Sequence, residues 1–137
     1  MQKLNQSYIN TVVRKALEED LRPRGDITTN LIAAKDKIIK AKIIAKQDGV
    51  IAGLDFCKTA FKLIGKESVF TKKISDGKKI KKKKVIAIIK AKKKTILTAE
   101  RTALNFLNHA SGIATLTNQF VKKISKKTKI CCTRKTT

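Results

Sequence analysis

Apolar residues recur every three or four positions in two stretches of the chain, and this spacing predicts two amphipathic helices. The first is expected to begin at a cap formed by Ser7, with an apolar face made of Ile9, Val12, Val13, Ala16, Leu17 and Leu21. The second is expected to begin at Leu97 with Thr98 as its cap and to run for about seven turns, to Ile124. Gly112 is expected to interrupt this long helix and to permit the close approach of another backbone.

Between the two helices, runs rich in β-branched residues predict strands. We expect strands in the ranges 38–46, 50–52, 69–74 and 85–89, with a shorter one at Ile80. A third helix is expected to follow Gly53 and to end at Gly65, with Phe56, Ala60, Phe61 and Ile64 on one face. Residues 129–132 predict one more extended segment after the long helix.

The chain is strongly basic, with 33 Lys and Arg against 10 Asp and Glu in 137 residues and a formal net charge of +23. Such a field attracts polyanions non-specifically, so nucleic-acid binding is one hypothesis. Only five of the basic residues are arginines and only six residues are Phe or Tyr. Because base contacts favour arginine and single strands favour aromatic platforms, we prefer the interpretation that lysines accumulate on solvated faces.

Length and composition exclude several classes of protein. A complete (β/α)₈ barrel needs ~250 residues, and no apolar run approaches the ~20 residues of a membrane span. Residues 1–10 show no secretory signal. The three cysteines, Cys57, Cys131 and Cys132, have neither the even number nor the spacing of a disulfide framework or zinc site, which favours a cytoplasmic location.

Few residues are candidates for chemistry. His109 is the only histidine, and we expect the acidic run 18–20 to offset nearby arginines rather than to hold a metal. Arg101 lies early in the long helix, and Thr133, Arg134 and Lys135 follow the last extended segment. Cations and hydroxyls in these positions suit an anionic small molecule, because arginine forms bidentate contacts with carboxylate or phosphate. The alternative is ordinary surface charge on a basic chain.

Five segments carry a resemblance to a known family. Residues 97–107 (LTAERTALNFL) and 111–117 (SGIATLT) resemble quinolinate phosphoribosyltransferase, also called nicotinate-nucleotide pyrophosphorylase (carboxylating). Three further segments match the family in order and spacing: EDL at 19–21 with GDITT at 25–29, DGVIAGL at 48–54, and TRKT at 133–136. The resemblance therefore extends over nearly the whole chain.

This resemblance implies an α/β fold, in which an α+β sandwich domain precedes the long helix and first strand of a truncated α/β barrel. The domains would be residues 1–110 and 111–137. The family converts quinolinate and phosphoribosyl pyrophosphate into nicotinate mononucleotide, CO₂ and pyrophosphate in NAD biosynthesis. Family members are paired so that each active site borrows from its neighbour, which implies a homodimer or larger homo-oligomer.

The resemblance implies substrate-binding roles for Arg101, which would reach quinolinate across the dimer, and for Thr133, Arg134 and Lys135 at the first barrel strand. It places no catalytic residue and no Mg²⁺ ligand in this chain, since the family's remaining site residues belong to the rest of the barrel. The chain is therefore expected to be an incomplete or split enzyme, inactive alone, with a barrel half encoded separately or lost. The alternative is a basic remnant that acts in nucleic-acid binding or assembly.

Two departures from the family pattern stand out. Cys132 occupies the place of an aspartate before Thr133, so a carboxylate that could orient the following cations is missing. Lysines stand near positions 83 and 90, where the family has glycines.

Overall fold

Helices and strands alternate along the chain much as the apolar pattern predicts. The computed structural model describes residues 4–21, 37–124 and 128–131. In these ranges the elements are α1 (Gln6–Leu21), β1 (Ile38–Ile44), β2 (Gly49–Val50), α2 (Leu54–Ile64), β3 (Val69–Lys72), β4 (Lys79–Ile80), β5 (Val85–Lys92) and α3 (Lys93–Lys123). No helix of the described ranges is both long and apolar enough to cross a membrane.

The main sheet is built around β5. Its neighbours β1 and β3 both pair with it antiparallel, in the order β1-β5-β3, while β2 and β4 form a separate two-stranded pair. Along β5, Ala87, Ile89 and Ala91 are buried whereas Lys90 and Lys92 are exposed. Because side chains alternate across a strand, one face of the sheet lies against the core and the other faces solvent.

Two helices, α2 and α3, lie against the buried face of the sheet, and α1 packs on them. α3 packs against α2, α1 packs against both, and α2 and α3 contact the sheet. The core they share contains Val13 of α1, Leu54 of α2, Ile89 of β5 and Ala103 of α3, each no more than 1% exposed. This mixed helix and sheet arrangement confirms the predicted α/β fold class.

Both predicted helix caps are wrong. Asn5 caps α1, because its Oδ1 accepts a hydrogen bond from the Ser7 N–H at 2.8 Å and its carbonyl accepts one from the Ile9 N–H at 3.1 Å. α3 begins at Lys93, directly after β5, so Thr98 lies inside the helix. A strand that passes into a helix without a loop leaves no place for a cap further along the chain.

The predicted role of Gly112 is also wrong. α3 continues without interruption through Gly112, and a Cβ there would meet nothing within 4 Å. The close approach occurs at Gly53, at the start of α2, where a Cβ would lie 3.0 Å from Ala110 Cβ and 3.1 Å from the Phe106 carbonyl oxygen. Gly53 also has a φ of 93°, a conformation that glycine adopts without strain.

Residues 128–131 contain neither helix nor strand, so the extended segment predicted at 129–132 gains no strand pairing where it is described. Cys132, the last residue of the predicted segment, lies outside the described residues. α3 crosses positions 110 and 111 as one continuous helix. The division into domains at that point remains a prediction.

Lys83 is the one non-glycine residue of the described ranges with a positive φ, 68°. It lies in the turn between β4 and β5, where its N–H donates to the Ala45 carbonyl at 2.8 Å. The sequence identifies this neighbourhood as one where lysine replaces a family glycine, and the backbone keeps a glycine-like conformation. Lys90, in contrast, occupies an ordinary strand position.

We expect Gly53→Ala and Gly112→Ala to change the free energy of unfolding in opposite directions. Alanine at 112 should raise it by up to ~1 kcal/mol, because alanine is the better helix former and the site is open. Alanine at 53 should lower it by at least ~1–2 kcal/mol, since a Cβ is strained at that φ and crowds α3. Urea unfolding measures both; equal effects would contradict the assignment of the close approach to Gly53.

Lys83→Gly should raise the free energy of unfolding by about 0.5–1 kcal/mol. The left-handed conformation costs a non-glycine residue ~1–2 kcal/mol, and the entropy of glycine in the unfolded chain offsets part of the gain. Lys82→Gly is the matched control, because it removes the same charge in the same turn from a residue without a positive φ. If urea unfolding shows Lys83→Gly to be no more stable than Lys82→Gly, the backbone at 83 is not strained.

Candidate functional site

A groove lies between the C-terminal turn of α1 and the middle of α3. Its volume is about 910 Å³, and it is lined by Ala16, Glu19, Asp20, Thr102, Asn105, Phe106, Asn108 and His109. The helical repeat explains why this surface is polar. Ala99, Ala103 and Leu107 bury one face of α3, so residues spaced four apart on another face, Arg101, Asn105 and His109, are exposed.

Asp20 joins the two helices at one end of the groove. Its Oδ1 lies 2.9 Å from Arg101 Nη1, and its Oδ2 accepts a longer hydrogen bond, 3.5 Å, from the Thr102 hydroxyl. The Asp20 side chain is 21% exposed and that of Arg101 is 76% exposed. An ion pair with so exposed a partner contributes only ~0–1 kcal/mol to stability, so its main effect is to orient the guanidinium.

The sequence analysis expects the acidic run at the end of α1 to offset arginines. One of its residues, Asp20, does pair with an arginine. Arg101 donates one hydrogen bond, from Nη1 to Asp20, and the other N–H groups of its guanidinium have no partner within the described residues. Arginine has five N–H donors in fixed geometry. The side chain is thus held at one point while it keeps donors for a carboxylate or phosphate.

Phe106 is one of the residues that line the groove. Its ring stacks on that of Phe56 in α2, with centroids 5.2 Å apart and an interplanar angle of 23°. The stacked pair joins α2 to α3.

Two hydroxyls of the SGIATLT segment have a structural role. Thr115 Oγ1 accepts a hydrogen bond from the Val50 N–H at 2.9 Å. Ser111 Oγ accepts one from the Ala52 N–H and donates one to the Ala52 carbonyl, both at 3.1 Å. These bonds satisfy the backbone between β2 and α2, and they tie together two of the segments that carry the family resemblance.

The sequence predicted four substrate-binding residues, of which the structure describes one. Arg101 lies beside the groove, on an exposed face of α3, and pairs with Asp20, one of the residues that line it. Thr133, Arg134 and Lys135 lie outside the described residues. The sequence analysis expects Asp20, as part of the acidic run 18–20, to offset an arginine, but it does not identify Arg101 as the partner.

His109 and the cysteines form no reactive pair in the described part of the chain. His109 is exposed and lines the groove, and no hydrogen bond joins it to Cys131. Cys57 is fully buried, and burial raises the pKa of its thiol to about 12. Such a thiol is not a nucleophile near neutral pH, because the reactive species is the thiolate.

The remaining titration shift belongs to a structural contact. The hydrogen bond from Lys81 Nζ to Asp48, at 2.7 Å, and then the one from the Lys82 N–H lower the pKa of the Asp48 carboxyl. The same contact raises the pKa of Lys81. It fastens the β4–β5 turn to the β1–β2 turn. No group of three or more His, Cys, Asp or Glu residues within the described ranges could hold a metal ion.

Comparison with known proteins places these features in a family. The model described as "Quinolinate phosphoribosyl transferase, N-terminal domain" matches residues 26–111. A probable nicotinate-nucleotide pyrophosphorylase (carboxylating) of Methanocaldococcus jannaschii is 40% identical over 133 residues, covering 94% of this chain and 45% of the relative. The nicotinate-nucleotide pyrophosphorylase (carboxylating) of Mycobacterium leprae is 35% identical over 129 residues, covering 90% of this chain and 45% of the relative.

Solved structures agree. The nicotinate-nucleotide pyrophosphorylase of Francisella tularensis superimposes with a TM-score of 0.82 at 36% identity, covering 88% of this chain and 42% of that one. NadC of Streptococcus pyogenes has the same TM-score at 34% identity, covering 87% of this chain and 43% of that one. The chain thus spans less than half the length of the proteins it matches.

Cys57 should resist alkylation in the folded protein. A buried thiol with a pKa of about 12 presents almost no thiolate at pH 8, whereas Cys131 is exposed. Iodoacetamide treatment followed by peptide mass spectrometry should show Cys131 modified and Cys57 unmodified, with Cys57 reacting only in ~6 M guanidinium chloride. Modification of Cys57 at the rate of Cys131 under native conditions would contradict the burial of this part of α2.

Proposed function

Since the chain belongs to the quinolinate phosphoribosyl transferase family, we propose that it supplies the N-terminal part of an enzyme that joins quinolinate to phosphoribosyl pyrophosphate. The products would be nicotinate mononucleotide, CO₂ and pyrophosphate, in NAD biosynthesis. The names of the relatives and the match to the N-terminal domain support this activity. We further propose a cytoplasmic location, which the free thiols of Cys57 and Cys131 support.

The main observation in support of the proposal is the position of Arg101. The residue lies in the LTAERTALNFL segment, and its guanidinium is exposed beside a groove and held at one edge by Asp20. Quinolinate is a dicarboxylate, and the arginine fork matches a carboxylate through two parallel N–H···O bonds. A cation fixed before the substrate arrives can hold the pyridine nitrogen near the anomeric carbon at a low entropic cost.

We place the substrate of Arg101 on a neighbouring subunit. The side chain faces outward from α3, and the described part of this chain offers no other cation at the groove. A homodimer in which each Arg101 completes the neighbour's site satisfies both facts. Thr133, Arg134 and Lys135 are proposed to contact the substrates from the first barrel strand, so that cations from two subunits surround the anionic reactants.

Phosphoribosyl transfer of this kind implies Mg²⁺, which would neutralise the departing pyrophosphate. The described residues do not fit such an ion, because no three of their His, Cys, Asp or Glu side chains lie close enough together to hold one. We therefore propose that this chain contributes to quinolinate binding, and we assign none of its described residues to the metal.

Subunit mixing tests the proposal. The full-length Mycobacterium leprae relative would carry alanine at the position that aligns with Arg101 and be co-expressed with this chain under a second tag. Mixed dimers are then isolated through both tags. Nicotinate mononucleotide formation should recover in them, because Arg101 completes the intact barrel of the relative. Neither the variant relative nor this chain alone should turn over appreciably.

Matched variants of this chain make the test specific. Arg101→Ala should lower turnover of the mixed dimer by about a hundredfold or more, the typical effect of losing one fixed donor at a developing charge. Arg14→Ala removes an equal charge from an exposed position on α1 and should leave turnover unchanged. Failure to isolate mixed dimers would contradict the shared site, and active Arg101→Ala dimers would remove Arg101 from it.

A further inference from the structure

The solvent face of the main sheet carries rows of lysines. Pairing across the sheet places Ile38 opposite Lys92, Lys40 opposite Lys90 and then Val69, and Lys42 opposite Ile88 and then Thr71. Residues directly opposite one another point to the same side of a sheet. We call this set the outer sheet face; it consists of Ile38, Lys40, Lys42, Val69, Thr71, Ile88, Lys90 and Lys92.

The lysines of this face repel one another. Lys40 and Lys90 stand directly opposite across β1 and β5, where Cβ atoms are ~4.5–5.5 Å apart and like charges destabilise the pair. Lys42 follows Lys40 at two residues, ~6.6–6.8 Å along the strand. All three are exposed.

Lys40, Lys42 and Lys90 face no acidic side chain across the paired strands. They make no ion pair within the described residues, in which Asp20, Asp48 and Asp55 pair with cations elsewhere. None of these carboxylates belongs to the outer sheet face. The face is therefore a rigid cationic surface whose repulsion an external anion would relieve.

We propose that the outer sheet face binds the phosphate backbone of double-stranded nucleic acid. A row of phosphates can neutralise several lysines at once, and the counterions released from the duplex drive the association. The rigid sheet holds the lysines in place before binding, so less ordering entropy is lost than with a disordered basic tail. This activity is independent of the proposed phosphoribosyl transfer, since Arg101 lies on the helical side of the fold.

The composition of the face favours a duplex over a single strand or a membrane. It also argues against recognition of a specific base sequence. It contains no Phe, Tyr or Trp on which the bases of a single strand could stack, nor an aromatic anchor for a membrane interface. It contains no arginine, the residue that most often reads guanine in the major groove. Lysine contacts phosphates as a point charge, so binding should be independent of sequence.

Fluorescence anisotropy with a labelled 20-base-pair duplex, at salt concentrations from 50 to 200 mM, tests the proposal. The comparison is between the wild-type chain, K40Q/K42Q/K90Q and the control K15Q/K58Q/K66Q, which loses three exposed lysines of the helical side. Each phosphate contact contributes about 0.9 to the slope of log K against log salt. The sheet variant should therefore lose about 2.7 from that slope and bind at least tenfold more weakly, while the control retains both.

Equal losses in the two triple variants would overturn the proposal, because net charge alone would then account for binding. Circular dichroism melts would confirm folding, which relief of the Lys40–Lys90 repulsion should favour. K40E alone, which reverses one charge on the face, provides a second variant should the triple variant unfold; K15E is its control. The proposal would also be overturned if K40Q/K42Q/K90Q bound the duplex as the wild-type chain does but no longer bound vesicles containing phosphatidylserine. The outer sheet face would then bind a lipid surface.

Discussion

Burial of one face of α3 is the interaction on which the rest of the structure depends. This helix contacts α1, α2 and the strands β1, β2 and β5, and its alanines at 99 and 103 are fully buried. Small side chains on that face let other elements approach closely, as at Gly53, whose missing Cβ accommodates the Phe106 carbonyl and Ala110. Because this face is buried in the core, the helical repeat places Arg101, Asn105 and His109 on the exposed side of the helix.

The same constraint explains why the segments of the family resemblance meet in space. Ser111 and Thr115 reach from α3 to the backbone around Val50 and Ala52, and Asp20 reaches from α1 to Arg101. Ser111, Thr115 and Asp20, which belong to these segments, therefore hold the fold together, while Arg101 keeps donors to offer to a ligand. Beyond Leu107 the apolar stripe of α3 loses its cover, and Ile113, Leu116 and Phe120 are each more than half exposed.

Periodicity was sufficient to predict most elements, because three-to-four spacing and β-branched runs report burial directly. It placed α1, α2 and β5 within a few residues, and the resemblance supplied the fold class and Arg101. It failed where a neighbour distant in sequence decides the outcome. The start of α3 is set by the end of sheet pairing at Lys92. The close approach depends on which glycine lies against a neighbouring element, and this is Gly53 rather than Gly112. The Asp20–Arg101 pair spans 81 positions, and no local pattern encodes it.

The central claim is that α3 presents Arg101 to a quinolinate molecule held by a neighbouring barrel. A crystal structure of the mixed dimer with quinolinate bound measures this directly, as the distance from the Arg101 guanidinium to the nearest substrate carboxylate oxygen. The account predicts a charge-assisted hydrogen bond of about 2.7–2.9 Å, with Asp20 still in contact with Arg101. A bound quinolinate whose carboxylates are contacted only by groups of its own subunit, with Arg101 turned to solvent, would contradict it.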